Sequence, residues 1–158
     1  MTLSTKALRA HLGRREILEG VDLNLSEPKL AGVMSLDGPP NALLDAIRYE
    51  LAPAAIYLSI RDLAPPSVRS VRPLPGDMHD ELMRAALDRA LAYEPRCLLI
   101  DDSLFIQDEE RQSRWMAALR QLPISVFVAL REPGAVKECD WLYIIEYGRV
   151  QRQGPPTL

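Results

Sequence analysis

The chain has 158 residues, the length of about one domain. Its apolar content of 47% and charged content of 26% are typical of soluble globular proteins and exclude a disordered chain or a fibre. The net charge of −3, without a long basic run, excludes the basic footprint of a nucleic-acid-binding protein. No apolar stretch approaches the ~18 residues that cross a bilayer, and the first residues, MTLSTKALRA, lack the apolar core of a signal peptide. We therefore expect a cytoplasmic protein.

Strands and helices alternate along the predicted chain after a strand-rich beginning. The nearly all-apolar run at 30–36 indicates a buried strand, and Asn41 is a suitable N-cap for the helix that follows it. Residues 77–93 contain neither glycine nor proline, which favours a helix. The predicted strands are 3–12, 17–25, 30–36, 55–60, 68–72, 96–100, 125–130, 141–145 and 149–153, and the predicted helices are 41–51, 77–93, 109–121 and 134–139. This order predicts an α/β domain over 1–153 with a mainly parallel sheet, followed by a tail at 154–158.

Turn residues are unevenly distributed in the chain. It has 13 prolines but only 8 glycines, and the first half is especially rich in proline. The segment 52–76 contains much of this proline, which predicts turns and extended chain there. Its role is not apparent from the residues.

Two adjacent carboxylates, Asp101 and Asp102, follow the apolar run at 97–100. Ligands of open α/β sheets bind at the carboxyl ends of the strands. An acidic pair there can hold Mg²⁺ and orient a water molecule, although two acids in a solvated turn are an equally simple interpretation. The two residues alone favour the simple turn.

The surrounding stretch RALAYEPRCLLIDDSLFIQD resembles the Walker B region of ATP-binding cassette (ABC) ATPases. In that resemblance Asp101 is the Walker B aspartate, Asp102 takes the position of the catalytic glutamate, and Asp108 is the aspartate of the D-loop. The segments 13–25 and 140–156 are similar to the opening and closing strands of the same family. The resemblance implies a P-loop NTPase-like core, with a mainly parallel sheet flanked by helices and an N-terminal antiparallel β part.

The phosphate-binding loop of this family, G-x-x-x-x-G-K-[ST], has no counterpart here. The corresponding stretch, SLDGPPNALLDAI, has one glycine, Gly38, and lacks a lysine and a hydroxyl residue after it. Pro39 and Pro40 remove two backbone donors from the phosphate cradle. The degenerate region around Gly38 and Asn41 is therefore predicted to be an ordinary turn between a strand and a helix.

Other functional positions of the family have changed as well. The signature loop corresponds to residues 77–81, which lack its glycines, and the switch histidine corresponds to Leu130, which cannot accept a proton. The aromatic residue that stacks on adenine is replaced by Leu12, next to His11, and the Q-loop glutamine falls near Leu74 or Pro75. Only 36 positions separate Asn41 from Asp77, so the helical subdomain is expected to be largely missing.

These departures predict a degenerate ABC transporter ATPase domain, a pseudo-ATPase that is a structural or regulatory subunit of a membrane-associated protein complex. Asp101 and Asp102 are then vestigial, and no catalytic residue, bound metal or cofactor is expected. One alternative is a weak or half-site ATPase subunit that uses Mg·ATP. The other is a repurposed small-ligand-binding module.

The expected partner is a complete ABC ATPase, a membrane complex or a second copy of the chain, at the inner face of a membrane. Asp108 and Trp115 are the interface candidates, Asp108 through its D-loop resemblance and Trp115 because its predicted helix is otherwise polar. His79 is predicted to be a solvated residue in the first turn of a helix. Cys97 and Cys139 are predicted to be small core residues.

Overall fold

The computed structural model of the protein describes residues 3–12, 15–25, 30–36, 42–51, 54–59, 76–101, 109–131, 133–147 and 149–156. In these ranges the chain forms strands, α-helices and one short 3₁₀ helix. The strands are β1 (Leu3–Leu12), β2 (Arg15–Leu25), β3 (Leu30–Ser35), β4 (Ala55–Leu58), β5 (Cys97–Ile100), β6 (Ser125–Ala129), β7 (Trp141–Glu146) and β8 (Arg149–Gly154). The helices are α1 (Ala42–Leu51), α2 (Gly76–Leu91) and α3 (Glu109–Arg120), and the 3₁₀ helix is Pro133–Glu138.

Six strands form the main sheet in the order β4-β5-β6-β3-β7-β8. The first five are parallel, and β8 pairs with β7 in the antiparallel direction. β1 and β2 form a separate antiparallel pair that contacts α1. The predicted fold class, a mainly parallel α/β core with an N-terminal antiparallel part, is therefore confirmed.

The core lies on both faces of the main sheet. On one face, α1 packs against inward-facing residues of β3, β5, β6 and β7, including Val33, Leu99 and Tyr143. On the other face, α2 and α3 cover the alternate residues of the same strands. Each central strand is thus buried on both sides, which explains why β5 and β6 are continuous apolar runs rather than alternating ones.

Most predicted elements differ from the observed ones by a few residues at their ends. The predicted helix 134–139 is a 3₁₀ helix, and β8 extends to Gly154, one residue into the predicted tail. The predicted strand 68–72 lies outside the described residues. Within the part of the chain that the structure describes, α2 is the next element after β4, and the helical subdomain of ABC ATPases is largely absent.

The prediction that His79 is solvated was wrong, because its side chain is 0% exposed. His79 belongs to the buried stripe of α2, with Met83, Ala86 and Ala90 at helical spacing. Its polar side chain concealed this periodicity. None of the described helices is long and apolar enough to span a membrane.

Candidate functional site

The carboxyl ends of the parallel strands meet at one edge of the sheet. β5 pairs with β6 so that Ile100 is opposite Val128, and β6 pairs with β3 so that Ala129 is opposite Val33. Asp101 therefore lies level with Ala129 and Val33, two strand spacings, or about 10 Å, from β3. This edge is where an α/β sheet of this kind binds ligands.

Asp101 lies directly after β5, and it is 8% exposed. Its backbone N–H donates to the carbonyl oxygen of Leu58, at an N–O distance of 3.2 Å, which continues the pairing of β5 with β4. Cys97 and Leu99 pack on the α1 side of the sheet. Since side chains alternate along a strand, Asp101 belongs to that same face. The carboxylate of Asp101 therefore lies on the face of the sheet that α1 covers.

Four other sequence-predicted site residues come between β3 and α1 or between β5 and α3 in the sequence. Gly38, Asn41, Asp102 and Asp108 lie outside the described residues. The structure therefore brings Asp101 alone, among these candidates, to the described part of the edge.

Leu130, which the sequence resemblance matched to the switch histidine, is part of the core. It is 2% exposed and belongs to the cluster on the α2–α3 face of the sheet. Its backbone N–H donates to the carbonyl oxygen of Val33 at 2.8 Å. A Cβ atom added to Gly32 would lie 2.6 Å from Cδ1 of Leu130, so the leucine packs directly over that glycine. The side chain at this position fills the core and offers no polar atom to a ligand.

The helix that follows β3 carries an acid close to its N-terminus. Asp45 lies in the first turn of α1. Burial raises the pKa of Asp45, although the nearby charge of Arg48 opposes the shift. When ionised, this carboxylate interacts favourably with the positive end of the helix dipole, which is the end that binds phosphate in P-loop proteins. It repels a second anion from the same end.

Trp115, the second described candidate, takes part in a contact between α2 and α3. Its indole Nε1–H donates to Oδ1 of Asp80 at 2.8 Å. Arg111, one turn before Trp115, forms a hydrogen-bonded ion pair with Oδ2 of the same carboxylate. One aspartate on α2 thus holds two side chains of α3.

Next to this contact is a surface pocket of about 240 Å³, the α2–α3 pocket, which is lined by Asp80, Arg84, Arg114, Trp115 and Ala118. The otherwise polar pattern of its helix drew attention to Trp115, but the sequence analysis missed the role of Asp80 and Arg111. The spacing of Arg111 and Trp115, four residues apart on one helix, was the only available signal. Their shared acceptor lies on another helix and leaves no local pattern.

No protein-family model matches the chain, but solved structures of ATP-binding cassettes resemble it. A bacterial Atm1-family ABC exporter with ATP bound aligns over 98% of this chain and 38% of its own, with 14% identity and a TM-score of 0.67. The dimeric cassette MJ0796, in a post-hydrolysis state bound to ADP and Pi, aligns over 100% of both chains with 14% identity and a TM-score of 0.67. A nucleotide-free ATP-binding cassette from an ABC transporter aligns over 98% of this chain and 92% of its own, with 12% identity and a TM-score of 0.65.

At these identities the likeness shows the fold alone. The chain has the fold of an ABC ATPase core, a P-loop NTPase-like sheet with helices on both faces. The activities in the names of these structures belong to those proteins.

Proposed function

We propose that the protein is a non-catalytic, ABC-ATPase-like subunit that acts as a structural or regulatory component of a membrane-associated protein complex. The observation that carries the proposal is the chemistry of residues 37–41, which connect β3 to α1. This connection, Asp-Gly-Pro-Pro-Asn, has neither the lysine nor the hydroxyl group that holds the phosphates and Mg²⁺ of a nucleotide. Function depends on the groups at the site and not on the fold alone.

Two described residues support this proposal. Leu130 is buried in the core where the family has a histidine, so no proton acceptor is available there. Asp45 places a carboxylate in the first turn of α1, where a phosphate would otherwise bind. The sequence at 37–41 and the buried Leu130 thus lack the groups that hold phosphates and accept a proton in a nucleotide site.

One observation favours the alternative of a weak or half-site ATPase. Asp101 remains at the carboxyl end of β5, nearly buried, on the same side of the sheet as α1. A carboxylate here would contribute to a Mg²⁺ site if a second cassette supplied the missing groups. This alternative requires nucleotide binding that depends on Asp101.

Thermal unfolding with and without excess Mg·ATP separates the two functions. A ligand present at about 100 times its dissociation constant stabilises a protein by about 2.7 kcal/mol, which is about 5–10 °C in Tm for a chain of this size. The proposed function predicts no shift for the wild-type protein. A shift of that size would contradict it if Asp101→Asn abolished the shift.

The matched control is Asp88→Asn, which makes the same change of charge at an exposed position on α2. A stabilisation by Mg·ATP that survives Asp101→Asn and Asp88→Asn equally would indicate binding away from the carboxyl edge. That result would favour a repurposed ligand site over both ABC-type functions.

A further inference from the structure

Two arginines line the α2–α3 pocket without a partner. Arg84 on α2 and Arg114 on α3 are exposed, and neither guanidinium forms an ion pair or a hydrogen bond with another described residue. Glu81 and Asp88 lie within one helical turn of Arg84, and Glu110 lies one turn before Arg114, but none of these carboxylates forms an ion pair with either arginine. Asp80, the carboxylate that also lines the pocket, is already paired with Arg111. The lining of the pocket therefore has two guanidinium groups that can pair with an added carboxylate, and one carboxylate that is already paired.

The aromatic wall of this pocket is held in place. Trp115 is half-buried, and its hydrogen bond to Asp80 fixes the orientation of the indole ring. Half-buried leucines, Leu87 and Leu91 on α2 and Leu122 just after α3, pack against the cluster beneath the two helices. A tryptophan that is already fixed loses little conformational entropy when a partner covers it. Tryptophan and arginine are also the residues that contribute most to protein interfaces.

The size and charge of the pocket point to the chemistry of its occupant. Its volume of about 240 Å³ is below the ~300–1,000 Å³ of small-molecule sites, so it accommodates a side chain or two of a bound segment. Guanidinium groups bind carboxylates in a bidentate geometry and stack on aromatic rings. The net charge of the chain is −3, which repels acidic molecules at long range. An acidic segment would therefore be attracted only at short range, by the two arginines of the pocket.

We propose that the α2–α3 pocket is a docking site for an acidic segment of a partner protein, with carboxylates at Arg84 and Arg114 and an apolar side chain against Trp115. The proposal names the partner chemistry of the subunit function given above and rests on it. The docking site lies on the outer surface of α2 and α3, which cover the face of the sheet opposite α1.

The test is an NMR titration with a short synthetic peptide in which glutamates flank a Leu-Phe pair. The chain has two tryptophans, Trp115 and Trp141, so the indole N–H signal of Trp141 is an internal reference. The peptide is expected to shift the Trp115 signal and to leave the Trp141 signal in place. A Trp115 signal that stays unchanged at millimolar peptide would overturn the proposal.

Charge-reversal variants locate the interaction. Arg84→Glu and Arg114→Glu are each expected to weaken peptide affinity by about tenfold. Arg89→Glu, on the opposite flank of α2, makes the same charge change outside the pocket and is expected to leave the affinity unchanged. Equal weakening by all three variants would mean general electrostatic attraction and would refute the site. Arg84→Gln and Arg114→Gln give the same comparison without adding a like charge to either helix.

Three further measurements distinguish the occupant. Anionic vesicles or a single-stranded RNA that shift Trp115 with the same arginine dependence would refute a protein partner. A change of oligomeric state in Arg84→Glu, measured by sedimentation, would identify a second copy as the occupant and would refute an acidic partner segment. Repeating the peptide titration with Mg·ATP separates the two proposals, since ATP binding that depends on Asp101 would refute the pseudo-ATPase but leave the docking site intact.

Discussion

Asp140 and Leu30 exchange two hydrogen bonds at the beginning of neighbouring strands. The backbone N–H of Asp140 donates to the carbonyl oxygen of Leu30 at 2.8 Å, and the backbone N–H of Leu30 donates to Oδ2 of Asp140 at 3.0 Å. The other carboxylate oxygen, Oδ1, pairs with Nε of Arg120 at 2.7 Å. A single side chain therefore joins the start of β3, the start of β7 and the end of α3.

Two replacements of Asp140 should separate the contribution of its hydrogen bond to Leu30 from that of its ion pair with Arg120. Asp140→Ala leaves the N–H of the buried Leu30 without its acceptor and is expected to cost about 1.5–3 kcal/mol of unfolding free energy. Asp140→Asn keeps an acceptor oxygen and loses the ion pair to the half-exposed Arg120, so its cost is expected to be about 0–1 kcal/mol. Urea denaturation measures both. Equal losses in the two variants would mean that the charge of Asp140, rather than its hydrogen bond to Leu30, stabilises the strands.

Gly32 in the middle of β3 has no room for a side chain. An added Cβ would lie 2.6 Å from Cδ1 of Leu130 and 2.8 Å from Sγ of Cys139. Gly32→Ala is therefore expected to destabilise the protein by about 1–3 kcal/mol through overpacking. Gly134→Ala is the matched control, because a Cβ there meets nothing within 4 Å, and its effect should stay within about 0.5 kcal/mol.

The same contact can be tested from the other side. Leu130→Ala should cost about 2–5 kcal/mol by leaving a cavity. In that background Gly32→Ala should be less damaging than in the wild-type protein, with a coupling of about 0.5–3 kcal/mol. Strictly additive losses would contradict the packing of Leu130 over Gly32. They would also weaken the view that this position has become part of the core.

The strands and helices could be predicted because each is indicated by a pattern of neighbouring residues. β5 and β6 are short apolar runs, and α2 is a long segment without glycine or proline. The position of Asp101 at the end of β5 followed from the same local pattern, an apolar run that stops at an acid. The resemblance to ABC ATPases added the expectation of an N-terminal antiparallel part beside a mainly parallel sheet flanked by helices.

What could not be predicted depends on contacts between distant segments. The burial of His79 depends on which side of α2 faces the sheet, and its polar side chain made that side look exposed. The contact of Trp115 with Asp80 joins two helices that are far apart in the chain, so neither helix contains its signal. The packing of Leu130 over Gly32 likewise depends on the β3–β6 pairing.

Asp80 should contribute to stability in a manner that depends on pH. Burial of its carboxylate opposes ionisation, but the hydrogen bond from Trp115 and the charge and hydrogen bond of Arg111 outweigh this, and the pKa of Asp80 lies below its ordinary value of 3.8. Since the pKa is lower in the folded than in the unfolded chain, the ionised carboxylate stabilises the fold fully above pH 3.8. This stabilisation is lost as the pH falls through the lowered pKa.

Asp80→Asn should therefore be less stable than the wild-type protein at neutral pH, by about 1 kcal/mol. The difference should shrink below pH 3.8, where the wild-type carboxylate takes up its proton. Unfolding free energies from urea titrations at a series of pH values measure this. Asp88→Asn makes the same change of charge on α2 without contacts to Trp115 or Arg111. If the loss of unfolding free energy in Asp80→Asn grew as the pH fell, the lowered pKa of Asp80 would be contradicted.

The two cysteines should react slowly with thiol reagents while the protein is folded. Burial raises the pKa of Cys97 to about 12, although the charge of Arg96 opposes the shift. Burial also raises the pKa of Cys139 to about 12, with a further contribution from the carboxylates of Asp140 and Glu138 and with Arg120 opposing. The thiolate is the reactive form, and a buried thiol is reached only when the structure opens, so a thiol reagent such as DTNB at mildly alkaline pH should label both residues far more slowly in buffer than in urea.

The variant Gly32→Ala can show whether the two faces of the sheet open independently of each other. The Cβ of Gly32→Ala would press on Sγ of Cys139, whereas Cys97 lies in the core cluster on the opposite face of the sheet. In single-thiol backgrounds made with Cys97→Ser or Cys139→Ser, Gly32→Ala should accelerate labelling of Cys139 more than labelling of Cys97. Equal acceleration would mean that the variant promotes unfolding of the whole domain. A larger effect at Cys139 would show that the α2–α3 face opens separately from the α1 face, since the two core clusters lie on opposite faces of the sheet.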